Sequence, residues 1–323
     1  MSRGVNLADT PVIPKIVVRL AAPRGFCAGV ERAIRTVEDA LAIYGAPVFV
    51  RHEIVHNAHV VRRLQAMGAV FVESLDDVKD GRPVVFSAHG APKTAYIEAA
   101  ARELTTIDAT CPLVLKVHSE TRRHVDAGRH IILIGHSGHP EVMGTMGQAP
   151  KGAVTLIEDV EAAMNAALPD APLAYVTQTT LSVDDTAEII AALQTRFPDI
   201  AGPRKSDICY ATSNRQDAVK LIAPGADLVL VVGSPQSSNS SRLVETALRA
   251  GARQALLVDN PAEFDLSPCQ KAATIGVTSG ASVPEYLVED LLHRLANNFR
   301  LHIDTIEHAR EDLVFKQPMM MAS

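Results

Sequence analysis

The amino-acid sequence predicts an α/β protein made of three similar α/β domains with mainly parallel sheets. Short apolar, β-branched segments alternate with amphipathic helical segments along the whole chain, a pattern that is typical of parallel α/β architecture. A cysteine also recurs at the start of a helical segment, at intervals of 84 and 98 residues. This repeat predicts an N-terminal extension, three α/β domains and a C-terminal tail, at 1–15, 16–111, 112–208, 209–303 and 304–323.

The predicted elements follow from local patterns. Buried strands are predicted where short runs of apolar residues occur, at 16–20, 48–50, 84–86, 131–134, 173–176, 228–232, 255–258 and 274–277. The segment 30–44 has Val30, Ile34 and Leu41 at helical spacing and ends at Gly45, which favours a helix stop. Ser182 begins a capping pattern for a helix to about residue 196. Further helices are predicted at 210–222, 241–249 and 285–295.

Composition excludes several classes of protein. The chain has 323 residues and a formal net charge of −6, whereas proteins that coat nucleic acid normally carry a basic excess. No apolar run reaches the roughly 18 residues of a membrane helix, and Asp9, Pro11 and Pro14 interrupt any signal-peptide core. Four cysteines without a C-x-x-C pair indicate a reducing compartment. We therefore expect a cytoplasmic protein that binds neither nucleic acid nor membrane.

Three of the four cysteines share one local context. Cys27, Cys111 and Cys209 each begin a helical segment, where the helix dipole is expected to lower a thiol pKa. A single cysteine is most often a small buried apolar residue, and Cys269, which begins no helix, is interpreted in that way. Three convergent thiolates favour a metal. The residues alone leave two choices open: zinc, which prefers a fourth ligand, and an iron–sulfur cubane with one open, Lewis-acidic iron.

The segment 52–56 has the sequence HEIVH, which matches the zinc-protease pattern. That pattern needs both histidines on one face of a helix. Here a predicted strand leads into the segment, and four residues of extended chain span about 13 Å, too far for two ligands of one ion. We therefore do not expect a zinc protease.

Polar residues follow several predicted strands. His56, His89 and His139 end strand segments, where parallel sheets place ligands. Ser237, Ser238 and Asn239 precede a helix, as does Ser282. Such neutral donors indicate an anion site, most naturally for a phosphate or diphosphate, and the chain has neither a Walker loop nor G-x-G-x-x-G.

Two further side chains complete the predicted site. Glu141 lies two residues after His139 and is the carboxylate best placed for proton transfer. Thr179 offers a hydroxyl at another strand end.

These segments together resemble one family, the 4-hydroxy-3-methylbut-2-enyl diphosphate reductases (IspH/LytB). The resemblance runs in order from about residue 16 to about residue 295. It is carried by PRGFCAGV at 23–30, RHEIVHN at 51–57, FSAHG at 86–90, DATCPLV at 108–114, GHSGHPE at 135–141, TQTTLS at 177–182, DICYAT at 207–212 and SSNS at 237–240. Residues 1–14 and Cys269 have no counterpart in the family pattern.

The resemblance implies a three-lobed arrangement of α/β domains around a central 4Fe-4S cluster. It implies reductive removal of the substrate's allylic hydroxyl with two electrons and two protons, giving isopentenyl and dimethylallyl diphosphate, the last step of the methylerythritol phosphate pathway. Carried over to this sequence, the cluster ligands are Cys27, Cys111 and Cys209. The diphosphate side is implied to comprise His56, His89, Ser237, Ser238, Asn239 and Ser282, with His139 near the substrate. Glu141 is implied to deliver protons and Thr179 to position it.

Two other functions remain as alternatives at this point. An iron–sulfur hydro-lyase would use an open iron without net electron transfer, and a metal-binding sensor module would use the cysteines structurally. The chain has no flavin or nicotinamide motif, so the reductase interpretation requires an external donor such as ferredoxin or flavodoxin. The family default is a monomer.

Overall fold

The computed structural model describes residues 14–79 and 81–320, and within them the chain forms twelve strands and ten α-helices. The strands are β1 (Lys15–Ala22), β2 (Val48–Arg51), β3 (Ala69–Val72), β4 (Val84–Phe86), β5 (Thr106–Asp108), β6 (His130–Ile134), β7 (Val154–Ile157), β8 (Leu173–Thr177), β9 (Leu228–Val232), β10 (Ala255–Val258), β11 (Thr274–Ser279) and β12 (Arg300–Glu307). The helices are α1 (Ala28–Tyr44), α2 (Ala58–Ala66), α3 (Lys93–Ala101), α4 (Pro112–Asp126), α5 (Pro140–Met146), α6 (Val160–Asn165), α7 (Val183–Arg196), α8 (Tyr210–Ile222), α9 (Ser238–Arg249) and α10 (Glu285–Asn298).

The strands form three separate sheets. Their orders are β10-β9-β11-β1-β12, β3-β2-β4-β5 and β7-β6-β8. Every strand pairing is parallel, so all the strands of one sheet end at the same edge. The predicted α/β class with parallel sheets in three units is confirmed.

Helices cover both faces of each sheet, which is the usual burial of a parallel sheet. In the five-stranded sheet, apolar residues of α10 pack on one face and those of α8 and α9 on the other. The interior strand β9 is therefore buried at all five positions. Burial on both faces explains why such strands have continuous apolar sequences that can be recognised in the chain.

All eight predicted strands are present, whereas β3, β5, β7 and β12 were not predicted. Each of these four lies at the edge of its sheet, and an edge strand needs less apolar surface. In β12 no residue is buried, so no apolar run marks it in the sequence. The helix predicted at 241–249 begins three residues earlier, at Ser238, because Ser237 caps it.

The first strand differs from its predicted place in the fold. β1 was assigned by chain order to the first unit, but it pairs with β11 and β12 in the sheet of the third unit. The pairing with β11 joins residues 257 apart and the pairing with β12 joins residues 285 apart, so neither leaves a local signal in the sequence. The limits of the three domains otherwise stay a prediction.

The two chain ends also differ from simple extensions. β1 begins at Lys15, within the predicted extension at 1–15, and residues 1–13 lie outside the described part of the chain. The predicted tail at 304–323 contributes its first residues to β12, and residues 308–320 pack back onto the protein. Residues 321–323 lie outside the described residues.

None of the helices in residues 14–79 and 81–320 is long and apolar enough to cross a membrane.

Candidate active site

One cavity lies where the carboxyl ends of strands from all three sheets converge. Its lining includes all twelve side chains that the sequence analysis singled out: Cys27, His56, His89, Cys111, His139, Glu141, Thr179, Cys209, Ser237, Ser238, Asn239 and Ser282. Most of them follow directly on a strand, because parallel strands place their C-terminal loops at one edge.

The three cysteines occupy equivalent positions in their units. Cys27, Cys111 and Cys209 are the N-cap residues of α1, α4 and α8. Of the three cysteines, Cys27 and Cys111 both face Gly29. A methyl group built on Gly29 would lie 2.7 Å from Cys111 Sγ and 3.8 Å from Cys27 Sγ. At the third, Thr212 N–H donates to Cys209 Sγ at 3.3 Å.

The spacing of these thiols bears on what they could hold. Within residues 14–79 and 81–320, no three His, Cys, Asp or Glu side chains are arranged to hold a single metal ion. Zinc would need its ligands about 2.0–2.3 Å from one centre. Thiolates are the ligands that iron–sulfur clusters take, and three cysteines line this one cavity. The residues present therefore fit an iron–sulfur cluster.

The pKa values of the thiols differ from the sequence prediction. Burial raises the pKa of Cys111 to about 12 and that of Cys209 to about 11, and it also raises the pKa of Cys27. The backbone N–H groups at the helix N-termini do lower the thiol pKa values, as expected. Burial raises these pKa values by more, because removing a charged thiolate from water costs more than the N–H groups offset. The prediction of depressed thiol pKa values was therefore wrong for the metal-free protein. Metal binding would supply the positive charge that stabilises the thiolates.

Three histidine rings form a compact cluster beside the cysteines. The ring centroids of His56 and His89 are 4.3 Å apart, and His139 lies 5.6 Å and 5.7 Å from them. Burial and mutual repulsion hold the pKa of His89 well below its usual value and lower that of His139 to about 4. In the ligand-free protein these two rings are neutral near pH 7, and a bound anion would raise their pKa values.

Several polar atoms in the cavity have no partner. His56 Nε2 and both side-chain polar atoms of Asn239 are buried without a hydrogen bond. Ser237 Oγ caps α9 by accepting from Ser240 N–H, and Ser238 Oγ donates to the carbonyl of Thr180 at 3.2 Å. Buried polar atoms are normally paired, so these unpaired atoms indicate a polar ligand.

The charge of the residues that line the cavity determines how an anion could be held. The residues that line it, all in the described part of the chain, include no lysine or arginine. An anion here would be held by neutral N–H and O–H donors, by the N-terminus of α9 and by histidines that take up protons.

Glu141, another residue that lines the cavity, is buried. Its side chain accepts hydrogen bonds from Thr179 N–H at 2.6 Å and from the Thr179 hydroxyl at 3.0 Å. Burial nevertheless raises the pKa of Glu141 from 4.5 to about 7, because the two bonds only partly offset desolvation. A carboxyl with this pKa can both hold and release a proton near neutral pH.

His139 is oriented by the same short helix. Its Nδ1 accepts a hydrogen bond from Glu141 N–H at 3.1 Å. The neutral ring therefore carries its proton on Nε2, which is left to donate.

The zinc-protease alternative at 52–56 is not supported, as the sequence analysis expected. The segment is not helical, and His52 Nδ1 pairs with Glu73 instead of with its neighbour His56. Cys269 is fully buried in the apolar core of the five-stranded sheet, away from the cavity.

Three residues at or beside the site were not predicted from the sequence: Thr212, Arg32 and Arg215. Thr212 lines the cavity, and its position three residues after the N-cap Cys209 could have revealed it. Arg32 and Arg215 are buried beside the cysteine loops. No sequence signal predicts a buried arginine, since its partners lie far away in the chain.

Comparison with known proteins agrees with this site. The family model described as LytB protein matches residues 18–296. A 4-hydroxy-3-methylbut-2-enyl diphosphate reductase of Hyphomonas neptunium is 58% identical over 96% of this chain and 98% of its own. The enzyme of that name from Phenylobacterium zucineum is 59% identical over 97% and 99%.

Two solved structures have the same fold. The E-1-hydroxy-2-methyl-but-2-enyl-4-diphosphate reductase from Plasmodium falciparum superposes with a TM-score of 0.91 at 39% identity, over 94% of this chain and 96% of that one. An (E)-4-hydroxy-3-methyl-but-2-enyl diphosphate reductase, described as the terminal enzyme of the non-mevalonate pathway, gives a TM-score of 0.62 at 28% identity, over 87% and 99%. The chain belongs to the LytB family, the family of the 4-hydroxy-3-methylbut-2-enyl diphosphate reductases.

Proposed function

We propose that this protein reductively removes the allylic hydroxyl of 4-hydroxy-3-methylbut-2-enyl diphosphate. Two electrons and two protons are consumed, the C–O bond breaks, and the products are water and isopentenyl or dimethylallyl diphosphate. One observation carries the proposal: three helix-capping cysteines, a buried carboxyl with a pKa near 7 and unpaired neutral donors share one cavity. Family membership supports the same reaction.

The three cysteines Cys27, Cys111 and Cys209 would hold a 4Fe-4S cluster. When bound, such a cluster supplies electrons and an open Lewis-acidic iron corner for the substrate oxygen. The cluster would also supply the positive charge that these buried sulfurs need in order to lose their protons.

The diphosphate would be held on the opposite side of the cavity. We propose that His56, His89 and Asn239 donate to it, together with Ser237 and Ser238 at the start of α9. Ser282, whose Oγ lies 3.4 Å from the carbonyl of His56, completes this side. Holding one end of the substrate in this way aligns its hydroxyl for reaction and lowers the entropic cost of the transition state.

Glu141 would deliver the proton that converts the leaving hydroxyl into water. Its raised pKa keeps the carboxyl largely protonated below about pH 7. Thr179 fixes the carboxyl by donating to both oxygens, and His139 donates from Nε2 to the substrate. Because the cavity is enclosed by three units, closure would exclude water from the reduced site.

The electrons would come from an external protein such as ferredoxin or flavodoxin, and we propose that the enzyme acts in the cytoplasm as a monomer. The free state of all four cysteines suits a reducing compartment.

The deciding test is the metal content of protein purified without oxygen. About four irons and four acid-labile sulfides per chain, with a visible spectrum that changes on adding the substrate, are expected. Stoichiometric zinc, or no metal in strictly anaerobic protein, would overturn the proposal. Turnover should require a chemical reductant such as dithionite, and conversion without any reductant would indicate a hydro-lyase instead.

A further inference from the structure

The C-terminal strap, residues 308–320, contacts the two buried arginines that lie next to the cysteines. It begins where β12 ends, with His308 N–H donating to the carbonyl of Ala22 at 2.8 Å, and it has no helix or strand of its own. The matched family model ends at residue 296, so the strap lies outside it. The strap falls within the C-terminal tail predicted at 304–323.

Arg215 links the Cys209 helix to the Cys27 loop. It lies six residues after Cys209 in α8 and is 0% exposed. Its Nη2 donates to the carbonyls of Gly25 and Phe26, at 2.6 Å and 3.4 Å, just before Cys27. Arg215 thus fixes the backbone that leads into one cysteine from the helix that another cysteine caps.

Arg32 makes the corresponding link from the Cys27 helix to the Cys111 loop. It lies five residues after Cys27 in α1 and is buried. Its Nη1 and Nη2 donate to the carbonyls of Thr110 and Asp108, at 3.0 Å and 3.4 Å, directly before Cys111. Together the two arginines connect all three cysteines in a chain of side-chain to backbone bonds.

The strap holds both arginines. The carboxylate of Glu311 accepts from Arg215 Nη1 at 3.0 Å and 3.2 Å and from Asn214 Nδ2 at 3.0 Å. The carbonyl of Lys316 accepts from Arg32 Nε at 2.8 Å. Gln317 accepts from the hydroxyl of Thr36, one helical turn after Arg32.

Charge makes the Glu311 contact the important one. A buried guanidinium is costly unless it is paired, and Glu311 is the carboxylate that forms an ion pair with Arg215 among the described residues. Its side chain is only 13% exposed, so solvent screens the pair weakly.

We propose that the strap is a positioning element for the three cysteines, acting through Glu311 on Arg215 and through Lys316 on Arg32, and that it thereby tunes the cluster they hold. The second half of this inference rests on the proposed function. Glu311 and the two arginines are positioning residues, since none of them lines the cavity.

Three variants separate this role from a general effect on folding. Glu311→Gln removes the charge at nearly constant size, and Glu311→Asp restores it. Glu307→Gln is the matched control, because Glu307 is an exposed carboxylate at the end of β12 that pairs with the exposed Arg310.

The first measurement is amide hydrogen exchange of the metal-free protein, which does not depend on the proposed function. Glu311→Gln should speed exchange in the peptides spanning 23–30 and 209–213 and leave the peptide spanning 130–134 unchanged. Glu311→Asp and Glu307→Gln should resemble the wild type. Unchanged exchange at 23–30, or faster exchange everywhere, would overturn the positioning role.

The second measurement is made on anaerobically reconstituted protein. Glu311→Gln should shift the midpoint potential of the cluster to a more positive value, since losing a negative charge favours the reduced state, and an iron chelator should remove the iron faster than from wild type. Wild-type potential and iron retention in Glu311→Gln would refute the effect on the cluster. If the wild type takes up no cluster, the proposed function fails, and the exchange data alone decide whether the strap positions the cysteines.

Discussion

Replacing Glu141 by glutamine tests the proton delivery directly. The carboxyl is buried and its two oxygens accept from Thr179 N–H and from the Thr179 hydroxyl. Glutamine is nearly the same size, can still accept from the N–H and can donate to the hydroxyl oxygen. The variant should therefore keep the geometry of the cavity and lose the proton.

The expected loss follows from the role of a general acid, which contributes typically 10²–10⁴-fold to a rate. Glu141→Gln should lower kcat by about that factor while the visible spectrum of the cluster stays as in the wild type. In the wild type, kcat should fall about tenfold per pH unit above the Glu141 pKa of about 7, because only the protonated carboxyl donates. The variant should lack this limb of the profile.

Stability provides an internal control for this variant. Since folding raises the pKa of Glu141 from 4.5 to about 7, the protonated carboxyl is favoured in the folded state. The protonated carboxyl contributes fully to the free energy of unfolding below about pH 4.5, and this contribution is lost as the pH rises through about 7. The change is about 3 kcal/mol, since each pKa unit corresponds to about 1.4 kcal/mol. Metal-free Glu141→Gln should therefore be at least as stable as the wild type at pH 8.

The assay follows product formation with dithionite as reductant under anaerobic conditions, from pH 6 to pH 9. Glu158→Gln serves as a control, because that carboxylate is half-exposed, contacts Ser137 N–H and His136, and does not line the cavity. Full activity in Glu141→Gln with an intact cluster spectrum would refute the proton-donor role. Loss of the cluster would instead show that Glu141 supports the metal site.

Three further predictions follow from the same cavity. Cys111→Ser should lower the iron and sulfide content well below that of the wild type. Cys269→Ala is the control and should retain both, because Cys269 lies in the apolar core of the five-stranded sheet. Full metal content in Cys111→Ser would contradict the ligand assignment. Gly29→Ala should also lower cluster content although alanine favours helices, since the new methyl would lie 2.7 Å from Cys111 Sγ; wild-type iron would show that the sulfur moves freely. Pyrophosphate should bind more tightly as the pH falls, and its binding should be accompanied by proton uptake, because the pKa of His89 lies well below its usual value in the free protein and a bound anion raises it. Calorimetry in buffers of different ionisation enthalpy measures this uptake, and binding without pH dependence would contradict it.

Strands and helix ends could be predicted from the sequence where a strand is buried on both faces or where a capping residue bounds a helix. The central strands β6 and β9 are continuous apolar runs, and Ser182 and Gly45 bound their helices as expected. The edge strand β12 could not be recognised because hydrogen bonding to β1, not an apolar face, holds it in the sheet.

The side chains of the site were identifiable for the same reason. Each one follows a strand or lies at the start of a helix, so its residue type and position can be recognised in the chain, and in parallel sheets such positions share one edge. A cysteine at an N-cap can thus be recognised from the sequence, because its position depends only on neighbouring residues. The direction of the thiol pKa shift was not, since burial outweighs the helix dipole only once three units enclose the cavity.

The sequence by itself therefore determined the α/β class with parallel sheets and the residues that line the common cavity. Tertiary structure alone decided that β1 joins the sheet of the third unit and that Glu311 meets Arg215, 96 residues away in the chain. The physical reason is that strand pairing and buried ion pairs are selected by partners that are close in space. Local propensity, periodicity and capping act over only a few residues and carry no information about those partners.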